Sequence, residues 1–186
     1  DTDGISTAAA VGEDASLVIG GALASGGAVT FDQPRNITIL SAGDDSGISF
    51  TVTGTDETAT AATESITGAN AGTATGSAYF ATITAIAAVG DPAGNVSAGS
   101  GTSIAAPMYR GRMRLRGIYV VNTGTAGTTT FSQTSSSGAV AMKFNTVASA
   151  NTTQYPDIPD DGILFAAGGY VLYTQTALSS ITVFYS

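Results

Sequence analysis

The sequence predicts an all-β fold of two small antiparallel modules, each β-sandwich or jelly-roll-like, behind an extended N-terminal arm. Three observations predict this class. First, Ile and Val together number 25 against 7 Leu, and 28 Thr add further β-branched side chains, which favour pleated strands. Second, apolar and polar residues alternate with a period of two in short segments. Third, turn residues separate these segments, and no apolar stripe has a helical period.

The first thirty residues are predicted to form the arm. Ala8-Ala9-Ala10 and Gly20-Gly21 offer little side-chain volume to a core. We expect only a short strand at residues 17–19. Residues 1–30 are therefore interpreted as an arm or linker ahead of the first module.

The first module is predicted over residues 31–100. Its clearest strand places Ile48, Phe50 and Val52 on one face and hydroxyl-bearing residues on the other. The sequence Asp-Pro-Ala-Gly at residues 91–94 predicts a turn, because Pro presets φ and Gly permits positive φ. Strands are predicted at residues 36–40, 48–53, 60–67, 78–88 and 95–98.

Residues 101–107 carry few large side chains and end in Pro107, so they are predicted to link the two modules. The second module is predicted over residues 108–186. Its strands are expected at residues 110–122, 128–133, 139–145, 163–165, 170–176 and 180–185. Four tyrosines of these strands are expected to be core or interface rings: Tyr119, Tyr170, Tyr173 and Tyr185.

The composition argues against catalysis. His, Cys and Trp are absent, so the chain can build neither a Ser-His-Asp triad nor a Cys nucleophile. Its single lysine, Lys143, has no Ser-x-x-Lys pattern nearby. We therefore expect a non-enzymatic protein without a cofactor.

The charges are unevenly distributed. Residues 1–100 hold 11 acids and one base, Arg35, for a net charge of −10, whereas residues 101–186 hold five bases and three acids, for +2. Because carboxylates repel phosphate, nucleic acid is not an expected partner. The longest nearly apolar run, residues 80–89, is too short to cross a bilayer, so no membrane partner is expected either.

The most unusual segment is the run RGRMRLR at residues 110–116. On one continuous strand its four arginines, Arg110, Arg112, Arg114 and Arg116, would project from the same face, because side chains alternate. Such a ladder costs energy unless anions neutralise it. We interpret it as an interface that docks an acidic partner strand or the acidic first module of a neighbouring subunit. A solvated edge strand, protected from aggregation by its charges, is the alternative.

The turn at residues 156–162 gathers the carboxylates of Asp157, Asp160 and Asp161. Calcium prefers several oxygen ligands at varied geometry, so these residues are a candidate calcium site. Their spacing does not match the helix–loop–helix calcium loop, and Asp and Gly are common turn residues. The alternative is therefore a turn without a metal. The same two interpretations apply to the acidic pairs at residues 44–45 and 56–57.

Two groups of segments resemble known virion proteins. The first begins with Pro34-Arg35-Asn36-Ile37-Thr38-Ile39 and continues through residues 47–56, 63–68, 79–84 and 93–96. It resembles a β-module that recurs in structural proteins of tailed bacteriophages. The second comprises residues 114–119, 161–165 and 181–185. It is similar to small virion-associated proteins of phages, notably those that infect cyanobacteria and other aquatic bacteria.

This resemblance implies a virion structural protein that decorates and stabilises the capsid surface, a cement protein assembled in the host cytoplasm. The implied partners are the major capsid protein or other virion subunits and further copies of the chain, with a trimer favoured. The predicted arm would then lace onto neighbouring subunits. A tail or head-fibre component is one alternative, and a secreted adhesin or sugar-binding module is the other.

Overall fold

In the computed structural model, which describes residues 1–148 and 152–186, the chain is built almost entirely of antiparallel β-strands. This confirms the predicted all-β class. Among the described residues, the only helical segment is one 3₁₀ turn at Gln175–Ala177, and no helix is long and apolar enough to cross a membrane. The chain divides into two compact units, unit 1 (Asp1–Gly101) and unit 2 (Thr102–Ser186).

Unit 1 is organised around its 14-residue strand β3 (Ala28–Ser41), which pairs with four other strands. Its strands are β1 (Ser6–Ala10), β2 (Ala24–Ser25), β3 (Ala28–Ser41), β4 (Ser49–Asp56), β5 (Ala61–Thr67), β6 (Thr73–Thr75), β7 (Phe80–Val89) and the first part of β8 (Asn95–Tyr109). They follow the order β8–β3–β7–β4–β5, with β1 beside β8 and both β2 and β6 beside β3. The first part of β3 pairs with β7 and its last part with β6.

The core of unit 1 follows the period-two pattern of its strands. Phe50 and Val52 of β4 are fully buried, and Phe50 lies opposite Ile66 of β5 and Ala88 of β7. The β4–β7 register shifts between Thr53 and Gly54. This bulge changes the alternation along β7, so that side chains three positions apart can both enter the core.

Residues 1–30 are part of this core, so the prediction of an extended arm is wrong. Ile5 and Leu17 are 0% and 4% exposed, and β1 pairs with β8 through Ser6 and Ala98. Leu17 also donates its backbone N–H to the Ile86 carbonyl at 2.8 Å. The alanines of β1 contribute backbone pairing while isolated larger residues beside them fill the core. Because these larger residues do not alternate continuously with polar ones, no period-two pattern in residues 1–30 predicts their burial.

Unit 2 is a sandwich of two antiparallel sheets. Besides the remainder of β8, its strands are β9 (Met113–Asn122), β10 (Gly127–Gln133), β11 (Val140–Thr146), β12 (Thr153–Gln154), β13 (Ile163–Phe165), β14 (Gly169–Thr174) and β15 (Leu178–Tyr185). One sheet has the order β11–β10–β14–β8. In the other, which we call the β9 sheet, β9 pairs with β15 along one edge and with β12 and β13 along the other.

The two sheets enclose one hydrophobic core. Phe131 of β10 and Val171 of β14 come from the first sheet, and Leu115, Ile118 and Val120 come from β9; each is at most 4% exposed. Side chains from both inner faces thus meet in a single cluster, as in other packed sheet pairs. This is the sandwich arrangement predicted for the second module.

The two units divide at Gly101 and Thr102, within the predicted linker of residues 101–107, but these residues belong to strand β8 and do not form an irregular linker. Ile104 and Ala105 are 2% and 0% exposed and pair with Tyr173 and Leu172 of β14. The small residues that indicated a linker permit close packing instead. A Cβ at Gly101, for example, would lie 2.3 Å from the Asn36 Oδ1 atom.

Candidate contact surface

The four arginines of the predicted ladder do not share one strand. β8 ends at Tyr109 and β9 begins at Met113, so Arg110 and Arg112 lie in the turn between them, where both are exposed. The ring of Tyr109 folds over Gly111, where a Cβ would lie 2.7 Å from the ring Cε1 atom. The alternation rule holds only within a strand, and this turn interrupts it. The prediction of a four-arginine ladder is therefore wrong.

Arg114 and Arg116 do lie on β9, where they brace a loop. Arg114 Nη1 donates a hydrogen bond to the Asp161 carbonyl at 2.7 Å, and Arg116 Nη1 donates one to the Asp160 carbonyl at 2.9 Å. Arg116 Nε also donates to the Ser186 hydroxyl at 3.0 Å. These two guanidinium groups thus hold the loop before β13 and the end of the chain against β9.

The acidic turn does not gather its carboxylates around a common point. Asp157, Asp160 and Asp161 are all exposed, and no group of three acidic side chains in the described residues is placed to hold a metal ion. Two of these residues instead supply backbone carbonyls to the arginines. Because β13 pairs with β9, the basic and acidic segments meet, a juxtaposition that separate inspection of each segment missed.

The acidic pairs of unit 1 include residues that close turns. Asp56 Oδ1 accepts hydrogen bonds from the Thr58 N–H at 2.8 Å, the Thr58 hydroxyl at 2.7 Å and the Thr60 N–H at 2.9 Å. Partial burial raises the pKa of Asp56, but these hydrogen bonds outweigh it, so the pKa lies below its ordinary value. Hydrogen bonds from the hydroxyl and N–H of Ser46 likewise lower the pKa of Asp44.

Two further carboxylates attach loops to the sheet of unit 1. Asp45, which is fully buried, accepts a hydrogen bond from the Ala93 N–H at 2.7 Å. Glu64 Oε1 accepts hydrogen bonds from the Ser77 N–H at 2.6 Å, the Ser77 hydroxyl at 3.0 Å and the Ala78 N–H at 3.0 Å. Both side chains therefore act as acceptors for loop backbone.

Unit 1 also contains a cleft of about 410 Å³. Its lining residues are Asp1, Leu23, Thr30, Phe31, Asp32, Arg35 and Ser100. Arg35 donates a hydrogen bond to Asp32 at 3.1 Å, and this bond is the main reason why the pKa of Asp32 lies below its ordinary value. The two charges neutralise each other, and the lining residues include no nucleophile paired with a base.

The side of the β9 sheet that points away from the unit 2 core carries exposed apolar side chains, and we call it the outer face. Side chains alternate across a strand, so Arg114, Gly117, Tyr119 and Val121, which lie between buried positions of β9, point outward, whereas Arg116 is the extra residue at a register shift opposite β15. Tyr155, Phe184 and Leu164 are 72%, 55% and 37% exposed. The outer face comprises Arg114, Gly117, Tyr119, Val121, Thr153, Tyr155, Leu164, Ser180, Thr182 and Phe184.

Three aromatic rings lie on the outer face: Tyr119, Tyr155 and Phe184. The rings of Tyr119 and Tyr155 lie 5.1 Å apart between centroids, at an interplanar angle of 54°. Phe184 covers Gly117, where a Cβ would lie 3.4 Å from the Phe184 Cδ2 atom. Such rings offer large apolar areas, and tyrosines add a hydroxyl that can bind a polar group.

The four strand tyrosines divide between core and surface. Tyr170 is 4% exposed, and Tyr173 packs partly buried against the unit 2 core. Tyr119 is half-buried and pairs with the exposed Tyr155 on the outer face, and Tyr185 forms a second pair with Tyr109 at 5.8 Å between centroids. The expected core position is thus confirmed for Tyr170 and Tyr173, and an interface role for Tyr119 and Tyr185 stays a prediction.

Comparison of the chain with protein-family models, with curated proteins and with solved structures finds no match. The geometry of unit 2 is therefore the basis for a functional proposal.

Sequence inspection missed the outer face, although one signal was present. In residues 181–185 the apolar alternation places Ile and Val on one face of the strand and Phe184 on the opposite face, beside Thr182.

Proposed function

We propose that this chain is a non-enzymatic structural protein of a tailed-bacteriophage virion, which decorates and stabilises the capsid through subunit–subunit contacts. The observation that carries the proposal is the outer face of unit 2, where Tyr155 and Phe184 are 72% and 55% exposed. Exposed apolar patches on soluble proteins mark interaction sites. The resemblance of the sequence to phage virion proteins is the reason for proposing a virion as the place of this contact.

The use of the charged side chains supports a structural role. Asp56, Glu64, Arg114 and Arg116 all hydrogen-bond to loops, so their chemistry is directed to the fold. The chain also lacks His and Cys altogether, the residues that most often supply a base or a thiolate nucleophile. An exposed face with aromatic and aliphatic side chains suits protein contact better than acid–base catalysis.

The mechanism of such a protein is thermodynamic. A protein that binds only the assembled, expanded shell stabilises that state by mass action. At a free concentration 100 times the Kd, each occupied site contributes about 2.7 kcal/mol. Summed over the many equivalent sites of a shell, this stabilisation opposes the internal pressure of a packaged genome without any chemical step.

An add-back experiment tests the proposal. Phage particles that lack this protein are incubated with the purified wild type or with the double variant Tyr155→Ser/Phe184→Ser. We expect the wild type to sediment with the particles and to raise the temperature of genome release, and the double variant to bind at least about tenfold more weakly, because apolar anchors dominate such contacts.

The control is Val18→Ser, which removes an apolar side chain that is 79% exposed in unit 1. This variant should bind as the wild type does. A wild-type protein that neither sediments with the particles nor changes their thermal stability would contradict the capsid proposal. A tail or head-fibre component would bind at only a few sites per particle, so the number of bound copies separates the two virion roles.

A sugar-binding module of a secreted adhesin is a second candidate, favoured by the ring pair of the half-buried Tyr119 and the exposed Tyr155 on the outer face. Tyrosine rings can stack on the apolar face of a sugar while their hydroxyls form hydrogen bonds. A glycan array followed by calorimetric titration tests it. Glycan binding that is lost in Tyr155→Ser, together with no binding to phage particles, would replace the capsid proposal.

A further inference from the structure

The C-terminal strand β15 has one free edge. It pairs with β9 along one side, and within the described residues it pairs with no other strand. Outside that ladder, no backbone hydrogen bond between described residues involves residues 179–185. The free edge therefore presents a row of N–H and C=O groups that another strand can pair with.

This edge lacks charge and proline, and its register with β9 is regular from Ser180 to Phe184, with shifts only beyond these two residues. Natural proteins protect exposed edge strands with charged residues, proline or bulges. The edge strands β5 and β11 carry Glu64 and Lys143, respectively. By contrast, the eight residues of β15, LSSITVFY, include no charged residue and no proline. Thr182 and Phe184 on its outer side are exposed.

We infer that β15 pairs with β15 of a second copy of this chain, antiparallel about a two-fold axis that passes through Thr182. Residues directly opposite each other in an antiparallel ladder share a face. In this register Thr182 faces the same residue of the other copy, Ile181 faces Val183, and Ser180 faces Phe184. The two β9 sheets become one continuous eight-stranded sheet.

Size and polarity match in this register. Phe184 already lies over Gly117 of β9, and the small Ser180 of the second copy would flank its other side. Ile181 and Val183 pack against the unit 2 core, so their pairing extends that core across the axis. Cross-strand pairs of β-branched residues and of threonines stabilise sheets. No charge on either strand opposes the contact.

This inference rests on the proposed function for its role, because it names a second copy of the chain as the partner in a subunit–subunit contact. The strand pairing itself can be measured on the isolated protein. The contact is isologous, since the same surface is used by both copies, and it closes a dimer. A trimer would require a contact between two different surfaces.

Sedimentation velocity over a micromolar-to-millimolar concentration series tests the pairing. We expect a reversible dimer for the wild type and at least about tenfold weaker association for Thr182→Lys, because like charges directly opposite each other destabilise a sheet. Thr182→Glu should weaken association in the same way. An equimolar mixture of these two variants should restore the dimer, because a lysine then faces a glutamate across the axis.

The matched control is Thr63→Lys, the same substitution at an exposed threonine of the edge strand β5, which should dimerise as the wild type does. A second measurement needs no variant: amide hydrogen exchange at residues 180–184 of the wild type should slow as the protein concentration rises.

A wild type that stays monomeric or forms a trimer would overturn the inference, as would a Thr182→Lys variant that dimerises normally or a mixture that stays monomeric. The result is separable from the particle experiment. A monomeric wild type that binds phage particles would overturn the strand pairing and leave the proposed function intact. A dimer that binds no particles would support the strand pairing and overturn the proposed function.

Discussion

Single residues in this protein are placed so that polar groups fix turns and isolated apolar groups fill the core. Asp56 accepts three hydrogen bonds from the turn that follows it. Asn122, which is 1% exposed, donates to the Val147 carbonyl at 3.1 Å and accepts from the Thr152 N–H at 2.9 Å. Such buried bonds are costly to lose, because an unpaired polar group keeps its desolvation penalty.

The charge of Asp56 should make folding sensitive to acid. Its pKa in the folded protein lies below the ordinary value of 3.8, so the ionised carboxylate contributes stability above the unfolded pKa. That contribution is lost as the pH falls through the folded pKa. In Asp56→Asn the acceptor oxygen remains and the charge is gone. Below about pH 4, the free energy of unfolding should therefore fall less steeply for the variant than for the wild type.

Urea unfolding at a series of pH values measures this difference. Asp157→Asn is the control, because that exposed carboxylate accepts no hydrogen bond that the structure describes. Its acid dependence should follow that of the wild type. Equal slopes for Asp56→Asn and the wild type would show that the turn does not depend on the charge.

Leu17 and Val18 distinguish a folded N-terminal segment from an arm. Leu17 is 4% exposed and Val18 is 79% exposed. We expect Leu17→Ala to lower the free energy of unfolding by about 2–4 kcal/mol, as for other buried leucines, and Val18→Ala to change it by less than about 0.5 kcal/mol. Equilibrium urea denaturation checks both. Two equally small changes would return residues 1–30 to the role of an arm.

At the scale of elements, strand pairing is fixed by close backbone approach and by side chains that reach neighbouring loops. The bulge between β4 and β7 lies at Gly54, where a Cβ would be 1.9 Å from the Thr82 carbonyl oxygen. The β9 strand uses Arg114 and Arg116 to hold the loop that leads into β13. Gly54 thus allows β4 to approach β7 closely, and the two arginines help to hold β13 beside β9.

Substitution of Gly54 should separate β4 from β7. The Cβ of Gly54→Ala has no space beside the Thr82 carbonyl, so we expect a loss of about 1–3 kcal/mol in the free energy of unfolding. Gly47→Ala is the matched control, since a Cβ there meets no atom within 4 Å. Chemical denaturation compares the two variants. A wild-type midpoint for Gly54→Ala would refute the close approach.

Removal of the two arginine side chains of β9 should loosen the loop before β13. In Arg114→Ala/Arg116→Ala the carbonyls of Asp160 and Asp161 lose their donors, so hydrogen exchange at Gly162, whose N–H bonds to the Pro159 carbonyl, should accelerate several-fold. The control is Arg110→Ala/Arg112→Ala, which removes the same charge from the exposed turn. Equal exchange in both double variants would contradict a bracing role.

For the whole molecule, the all-β class and the sandwich of the second module followed from the sequence, because β-branched residues and period-two alternation act within single strands. The N-terminal arm, the linker and the arginine ladder did not. Residues 1–30 and 101–107 are rich in small side chains, whose contribution is close packing with strands distant in sequence, and no local pattern records that. The alternation in RGRMRLR predicts one strand, whereas the structure has a turn at Gly111, over which the ring of Tyr109 packs.

The candidate contact surface was predictable only in part. The segment at residues 181–185 showed Phe184 at an outward position, but the exposure of a strand depends on which sheet edge it occupies. The meeting of Tyr119 with Tyr155 depends on the short pairing of β12 with β9. Likewise, the arginines and the acidic turn meet only because β13 pairs with β9. These features arise from topology, which short sequence patterns do not encode.

We propose that this protein is repeated over a virion shell, and its copy number in purified phage particles is the decisive measurement. Quantitative mass spectrometry against the major shell protein measures it. We expect a ratio close to one copy per shell subunit, or a simple fraction of one copy that is set by the symmetry of the shell. A handful of copies per particle would contradict the capsid role and favour a tail or fibre, and complete absence would contradict any place in the virion.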